Sequence, residues 1–249
     1  MRPLEVQGTT ACFPGVRFEE AVRRLADGVE EPLLGRLGTA HVQLCPQNFG
    51  VLDEAVVERL RESFPAVRFR LHANVRVFRQ VYRWSASDFS PDTAFYFRRV
   101  AEISRHLGSE AYTLHAGQRH CTLGELCRKV RALEDLFGVP VGVEGHYPVP
   151  RNRWLVSDWD EYHWLLESGL RFVVDLSHLN IVARTTGRRE DRLVEELLAC
   201  DRCLEIHVSA NDGRRDLHWP LEREPWWWPL LEYRNPNAVV FSEGNQLGN

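Results

Sequence analysis

Short apolar runs alternate with amphipathic segments along the whole chain, and this alternation limits the fold more than any other feature. The runs span residues 4–11, 40–45, 67–73, 111–116, 140–144, 171–175, 203–208 and 238–243. Several are apolar on both faces, as parallel strands covered by helices require. Between them, residues 17–29, 52–63, 91–107, 122–137, 157–167 and 187–199 carry apolar residues at three- and four-residue steps, the pattern of a helix with one buried face. Asp53 precedes one helix, Pro91 opens another, and Gly108, Gly138 and Gly169 follow three of them. Strand, helix, strand repeated from end to end predicts a (β/α)8 TIM barrel, with residues 1–249 as one domain. An open doubly wound sheet is the alternative. The chain stops at Asn249, soon after the eighth run, so the eighth helix is expected to be missing. A second subunit, or the aromatic stretch 226–233, would then cover that strand. Residues 74–90 lengthen the connection after the third strand, where insertions commonly line the active-site face.

Composition narrows the class. At 249 residues, 44% hydrophobic and 27% charged, the chain can bury a full core without disulfides. No apolar run reaches the roughly 18 residues that a membrane span needs. The N-terminal MRPLEVQGTT lacks a secretory pattern, so a cytoplasmic location is expected. Six cysteines then read as reduced thiols. Cys200 and Cys203 form a CxxC with no second pair to complete a zinc site, and they read as core thiols. A net charge of −4 gives no electrostatic reason to expect nucleic acid as a partner. Lys129 is the only lysine, so anion recognition would rest on arginine, whose planar fork suits carboxylate and phosphate.

The ends of the predicted strands carry the chemistry. The third ends in His72, the fourth in His115 and the fifth in Glu144. The sixth ends in Asp175 with His178 three residues on, the seventh carries His207 followed by Asp216 and His218, and the eighth is followed by Glu243. In a barrel all the C-terminal strand ends open on one mouth, so these nine side chains should converge. One strand-end histidine or acid is as readily a core residue or a helix cap. Six consecutive strands each ending in a metal-ligand type is a pattern, and imidazole with carboxylate suits Zn, Fe or Mn. Octahedral coordination takes six ligands, so nine overfill one ion, and two or three divalent ions are expected. His72 and His115 would hold an outer ion, while Asp216 and His218, two apart, face the same way and could chelate another.

The segments RLHANV, TLHAGQ, VGVEG, VVDLSH, EIHVSANDGRRDLH and VFSEGN, spread over residues 67–245, resemble the xylose-isomerase-like TIM-barrel superfamily and within it the endonuclease IV type. The resemblance implies two or three metal ions on the nine residues. Mononuclear relatives, the ketose 3-epimerases, keep the counterparts of Glu144, Asp175, His207 and Glu243. VDLSHLNI also looks like the Asp-x-x-His-x-Asn-Ile run of those epimerases.

Three activities follow as expectations. The first is isomerase- or epimerase-type chemistry on a small oxygen-rich substrate, with Glu144 and Glu243 facing each other across it as the proton-transferring pair. The second is oxidative modification of a peptide or small natural product by a multinuclear non-haem iron site. Such relatives carry an Asn-Asn pair after the sixth-strand Asp, where this chain has Leu176-Ser177. The third is phosphodiester hydrolysis of the apurinic endonuclease kind, which suits all nine ligands but not the acidic composition. A metal-free scaffold barrel would be expected to lack ligands, and none of the nine is missing.

Around the mouth, Arg76, Arg79 and Arg83 lie in the inserted loop, Arg184, Arg188 and Arg189 follow the sixth strand, and Arg214 and Arg215 adjoin Asp216. As a set they point to an anionic group on the substrate. Trp226-Trp227-Trp228, between two prolines, is expected to pack the open eighth strand or to form a homodimer contact. Asn211-Asp212-Gly213 reads as a turn that presents Asp216 and His218.

Overall fold

The computed structural model describes residues 4–151 and 153–247. Eight parallel strands close into a barrel: β1 Val6–Thr9, β2 Gly38–Leu44, β3 Arg68–His72, β4 Tyr112–His115, β5 Val141–Glu144, β6 Arg171–Asp175, β7 Cys203–Val208 and β8 Val239–Ser242. Each predicted run overlaps one of them, and β2 begins at Gly38, ahead of its run at 40–45. The helices are α1 Phe18–Asp27, α2 Glu54–Ser63, α3 Ala94–Leu107, α4 Leu123–Phe137, α5 Trp159–Glu167, α6 Leu176–Thr186 and α7 Asp191–Ala199.

Local chemistry sets the helix ends. The Asp53 carboxylate accepts from Val56 N, and Thr122 and Glu125 form a capping box at the start of α4. Gly108 and Gly138 end α3 and α4 in the left-handed region, at φ 69° and 70°, where a side chain would be strained. Pro91 stands ahead of α3 rather than in it, because Thr93 is the N-cap.

Helix α6 departs from the sequence pattern. It begins directly at the end of β6, with Asp175 as its N-cap accepting from Ser177 N and His178 N. Its buried face carries Ser177 and His178 beside Leu179 and Val182, so polar residues interrupt the apolar stripe. Arg184 therefore sits on a helix, not on a loop.

Among the described residues no helix follows β8. A short hairpin, Glu30–Glu31 paired with Gly35–Arg36, reaches the top of β8: Glu31 accepts from Ser242 Oγ and from Leu221 N, and Leu33 N donates to Leu221 O. Between β7 and β8 a six-residue 3-10 turn, Trp228–Tyr233, replaces a helix. Trp227 is 1% exposed and part of the core, and the Trp226 indole donates to Asn180 Oδ1. The barrel is closed, with β8 paired to both β1 and β7, so the eighth strand has no open edge. Cys200 and Cys203 are free thiols, Cys203 buried. No helix among the described residues is long and apolar enough to cross a membrane.

Candidate metal centre

Strand register builds the site. It sets His72 beside Thr113, His115 beside Glu144 and Asp175 beside His207 at the C-terminal ends of β3 to β7. Glu243 follows β8, and the β7 loop returns Asp216 and His218 to the same place. All nine predicted residues thus meet at the mouth.

Glu144 is the hub. Its Oε2 lies 3.4 Å from His72 Nε2 and 3.2 Å from His207 Nδ1. Its Oε1 lies 3.4 Å from His115 Nε2 and 3.5 Å from His178 Nδ1. His178 Nε2 is 3.4 Å from both Asp175 Oδ2 and Asp216 Oδ2. His218 Nε2 is 2.7 Å from Asp216 Oδ2 and 4.0 Å from Glu243 Oε2, and His207 Nδ1 is 3.8 Å from Glu243 Oε1. His72, Glu144, Asp175, His178, His207 and Glu243 are buried, while His115, Asp216 and His218 are half-buried and form the opening. Ala73 and His218 hold φ of 51° and 49°, a conformation that costs energy outside glycine and that clusters at functional sites.

The donor set fits metal ions. Three groups lie with ligand atoms within 4.8 Å of one another: His72, His115 and Glu144; His72, His207 and Glu243; and Glu144, Asp175 and His178. Several imidazoles are tied on one nitrogen and turn the other toward carboxylates. His178 Nδ1 lies 2.8 Å from Gly145 O, which makes it the N–H and leaves Nε2 among carboxylates. His72 Nδ1 is 3.0 Å from Thr113 Oγ1. This is how ligating histidines are oriented. Glu144 Oε2 and His207 Nδ1 are buried without a hydrogen-bond partner.

Without metal the acids and imidazoles perturb one another. Burial would raise the Glu144 carboxyl, but His115, His72 and His207 hold it well below the usual range. Burial pushes Asp175 up to about 7, with Glu144, Asp216 and Glu243 adding to the rise against His178. Burial disfavours charge on His178, His207 and His218, yet their carboxylates raise all three, His218 to about 9. His72 is driven down to about 3 by burial and by His207 and His115.

The arginines are spread around the rim. Arg76 closes its own loop through Arg79 O, and Arg215 pairs with Asp212 at 3.0 Å. Arg188 and Arg189 pair with Glu190 and Asp191 on the outer surface. Arg79, Arg83, Arg184 and Arg214 are exposed and make no ion pair among the described residues. The Asn211-Asp212-Gly213 turn is built as expected: Asn211 Oδ1 accepts from Gly213 N, and Asp212 Oδ1 from the backbone of Arg214 and Arg215.

Several residues of the site were not anticipated. His146 stacks between His115 and Trp154, with ring centroids 4.8 and 4.6 Å away. Its Nε2 is buried without a partner, and burial holds the imidazole well below its usual range, so it stays neutral. Ser177 Oγ donates to Asp216 Oδ1. Beneath the mouth, Gln43, Arg70, Thr113 and Glu205 fill a polar layer inside the barrel. Period-two alternation marks Arg70 with His72, Thr113 with His115, and Glu205 with His207, so this layer was readable. His146 lies past the strand end, where alternation says nothing.

No protein-family model matches the sequence, and no curated protein matches it. Solved structures do share its shape. A xylose isomerase domain protein from Alicyclobacillus acidocaldarius aligns at TM-score 0.62 and 13% identity over 99% of this chain and 91% of that one. A D-tagatose 3-epimerase-like protein aligns at TM-score 0.67 and 14% identity, covering 98% and 91%. An AP endonuclease, family 2, from Brucella melitensis aligns at TM-score 0.64 and 12% identity, covering 98% and 94%. The chain therefore shares the (β/α)8 barrel fold of these proteins.

Proposed function

We propose that this protein is a metal-dependent enzyme that binds two or three divalent ions, Zn, Fe or Mn, at the barrel mouth and isomerises or epimerises a small, oxygen-rich, anionic substrate. The observation that carries this reading is the buried hub: Glu144 faces four imidazoles, and its Oε2 and His207 Nδ1 find no aligned hydrogen-bond partner among the described residues. Glu144, Asp175, His207 and Glu243 would hold the central ion. His72 and His115 would hold a second with Glu144, and His178, Asp216 and His218 a third. Bound ions of this kind polarise carbonyl and hydroxyl oxygens and stabilise negative charge that develops on them. Glu144 and Glu243 approach His207 Nδ1 at 3.2 and 3.8 Å and would pass the substrate proton between them. Neutral His146 and Trp154 wall the approach beside His115.

Charge balance supports an anionic substrate. Four carboxylates neutralise two divalent ions, and a third ion leaves an excess of positive charge. The free guanidinium groups of Arg79, Arg83, Arg184 and Arg214 would add to it.

Phosphate-ester hydrolysis is the second reading. It is favoured by His178, Asp216 and His218, which lie outside the four-residue set and have no duty in a one-ion epimerase. Elemental analysis followed by two assays on the same preparation separates the readings. Solvent deuterium entering a ketose or sugar-acid C–H supports isomerisation, and phosphodiester cleavage without such exchange would replace it. Iron with visible absorption in the aerobic protein would instead favour the oxidative reading.

A further inference from the structure

The interior of a barrel of this kind is ordinarily packed with branched apolar side chains. Here a buried carboxylate stands below the mouth. Glu205 is 0% exposed, and its Oε1 accepts from Arg70 Nη1 at 2.9 Å. Its Oε2 accepts from Gln43 Nε2 at 2.6 Å and from Thr113 Oγ1 at 3.1 Å, and lies 3.3 Å from His207 Nε2. A carboxylate buried at this depth is costly unless each oxygen is satisfied, and here each is.

We infer that Glu205 is a positioning residue that fixes the tautomers of two metal-facing histidines, His207 directly and His72 through Thr113. The argument is one of proton count and rests on the metal reading above. A carboxylate only accepts, so Thr113 must spend its single hydroxyl proton on Glu205. Its oxygen then accepts from His72, which places the His72 proton on Nδ1 and leaves Nε2 as a lone pair facing Glu144. On His207, two groups compete for Nε2. The Gln43 amide lies 3.1 Å away and would donate to it, moving the ring proton to Nδ1 and closing that nitrogen to metal. Glu205 favours the opposite tautomer, with the proton on Nε2 and the lone pair on Nδ1 beside Glu144 and Glu243. Arg70 pairs the Glu205 carboxylate, its Nη1 donating to Oε1 at 2.9 Å with both groups buried.

The test uses the full chain with zinc or manganese alone as the probe. Affinity and stoichiometry are read by chelator competition, and ring tautomers by 15N spectra of the zinc-loaded protein labelled at histidine. His72 should coordinate through Nε2 and His207 through Nδ1. Thr113→Val should weaken the ion held by His72 about 10- to 100-fold and spare the His178 group, and Thr113→Ser should restore it. Glu205→Gln should weaken both the His72 and His207 ions by a similar factor. If Glu205→Gln does not fold, the Thr113 pair decides alone. Metal binding in the parent with unchanged affinity in Thr113→Val, or coordination of His72 through Nδ1, would overturn the inference and leave the metal centre standing. No metal binding in the parent would overturn both.

Discussion

His207 Nδ1 and Glu144 Oε2 lie 3.2 Å apart at the centre of the barrel mouth, and neither has an aligned hydrogen-bond partner among the described residues. Each atom has the other's charge close by but no aligned hydrogen bond, which forfeits on the order of 1 kcal/mol. A divalent ion between such atoms removes that cost and binds only the folded chain. Loading zinc or manganese to a hundredfold over Kd should therefore stabilise the protein by about 2.7 kcal/mol. For a chain of this size that is a rise in Tm of roughly 5–10 °C. A chelator should reverse the shift, and a Tm indifferent to metal and chelator would remove the ground for a metal centre.

Glu144 touches every imidazole of the inner site, so Glu144→Gln should be the most damaging isosteric change. It removes charge and keeps volume. Metal affinity should fall by roughly tenfold to a hundredfold or more, activity should vanish, and circular dichroism should stay that of the parent. Asp175→Asn should act in the same direction, because Asp175 also caps α6 and the amide oxygen still accepts there. Normal metal content in both variants would disprove the ligand assignment.

Glu144 is the one carboxylate grouped with both His72 and His115 among the described residues, which makes theirs the most weakly held ion. The double variant His72→Ala/His115→Ala should bind one ion fewer at saturation and keep the ion held by Glu144, Asp175, His207 and Glu243. A single equivalent in both parent and variant would point to a mononuclear centre.

Much of this architecture was legible because strand ends are coupled to function in a barrel. Once eight runs were placed, residues as far apart as His72 and Glu243 had to meet. What stayed hidden followed local rules that the alternation obscures. Helix α6 was missed because Ser177 and His178 face the site and break its apolar stripe. The Arg70–Glu205 pair was overlooked because the inside of a barrel strand is expected to be apolar. Trp227 lies in the core, in line with the packing alternative expected for the tryptophan run.

Protons should compete with metal over a defined pH window. In the metal-free protein burial disfavours charge on His218, but Glu243 and Asp216 raise it from 6.5 to about 9. Burial raises Asp175 to about 7. Both folded-state values are raised, so the stability these protons confer is complete below the unfolded values and is lost as pH climbs through about 7 and 9. The Asp175 contribution should thus be lost between pH 3.8 and 7 and the His218 contribution between pH 6.5 and 9, while apparent metal affinity rises, because ligands must deprotonate to bind. Calorimetry in buffers of different ionisation enthalpy should show proton release on loading. Affinity independent of pH across that window would contradict the assignment of His218.

Arg79, Arg83 and Arg214 should govern how the substrate arrives and not how it reacts. They are exposed, unpaired and carried on the connections after β3 and β7, while the groups placed at the chemistry lie deeper. An exposed guanidinium attracts an anion through a screened field that fades over a Debye length of about 8 Å at physiological salt. The triple variant Arg79→Ala/Arg83→Ala/Arg214→Ala should raise KM several-fold for an anionic substrate and leave kcat near the parent value, the signature of lost uniform binding. Added salt should raise KM in the parent and much less in the variant. Metal stoichiometry should not change, since none of the three lies among the nine ligand residues. A variant with parental KM at low salt would mean that the rim plays no part in recognition, and that any anionic group is held by the metal centre alone.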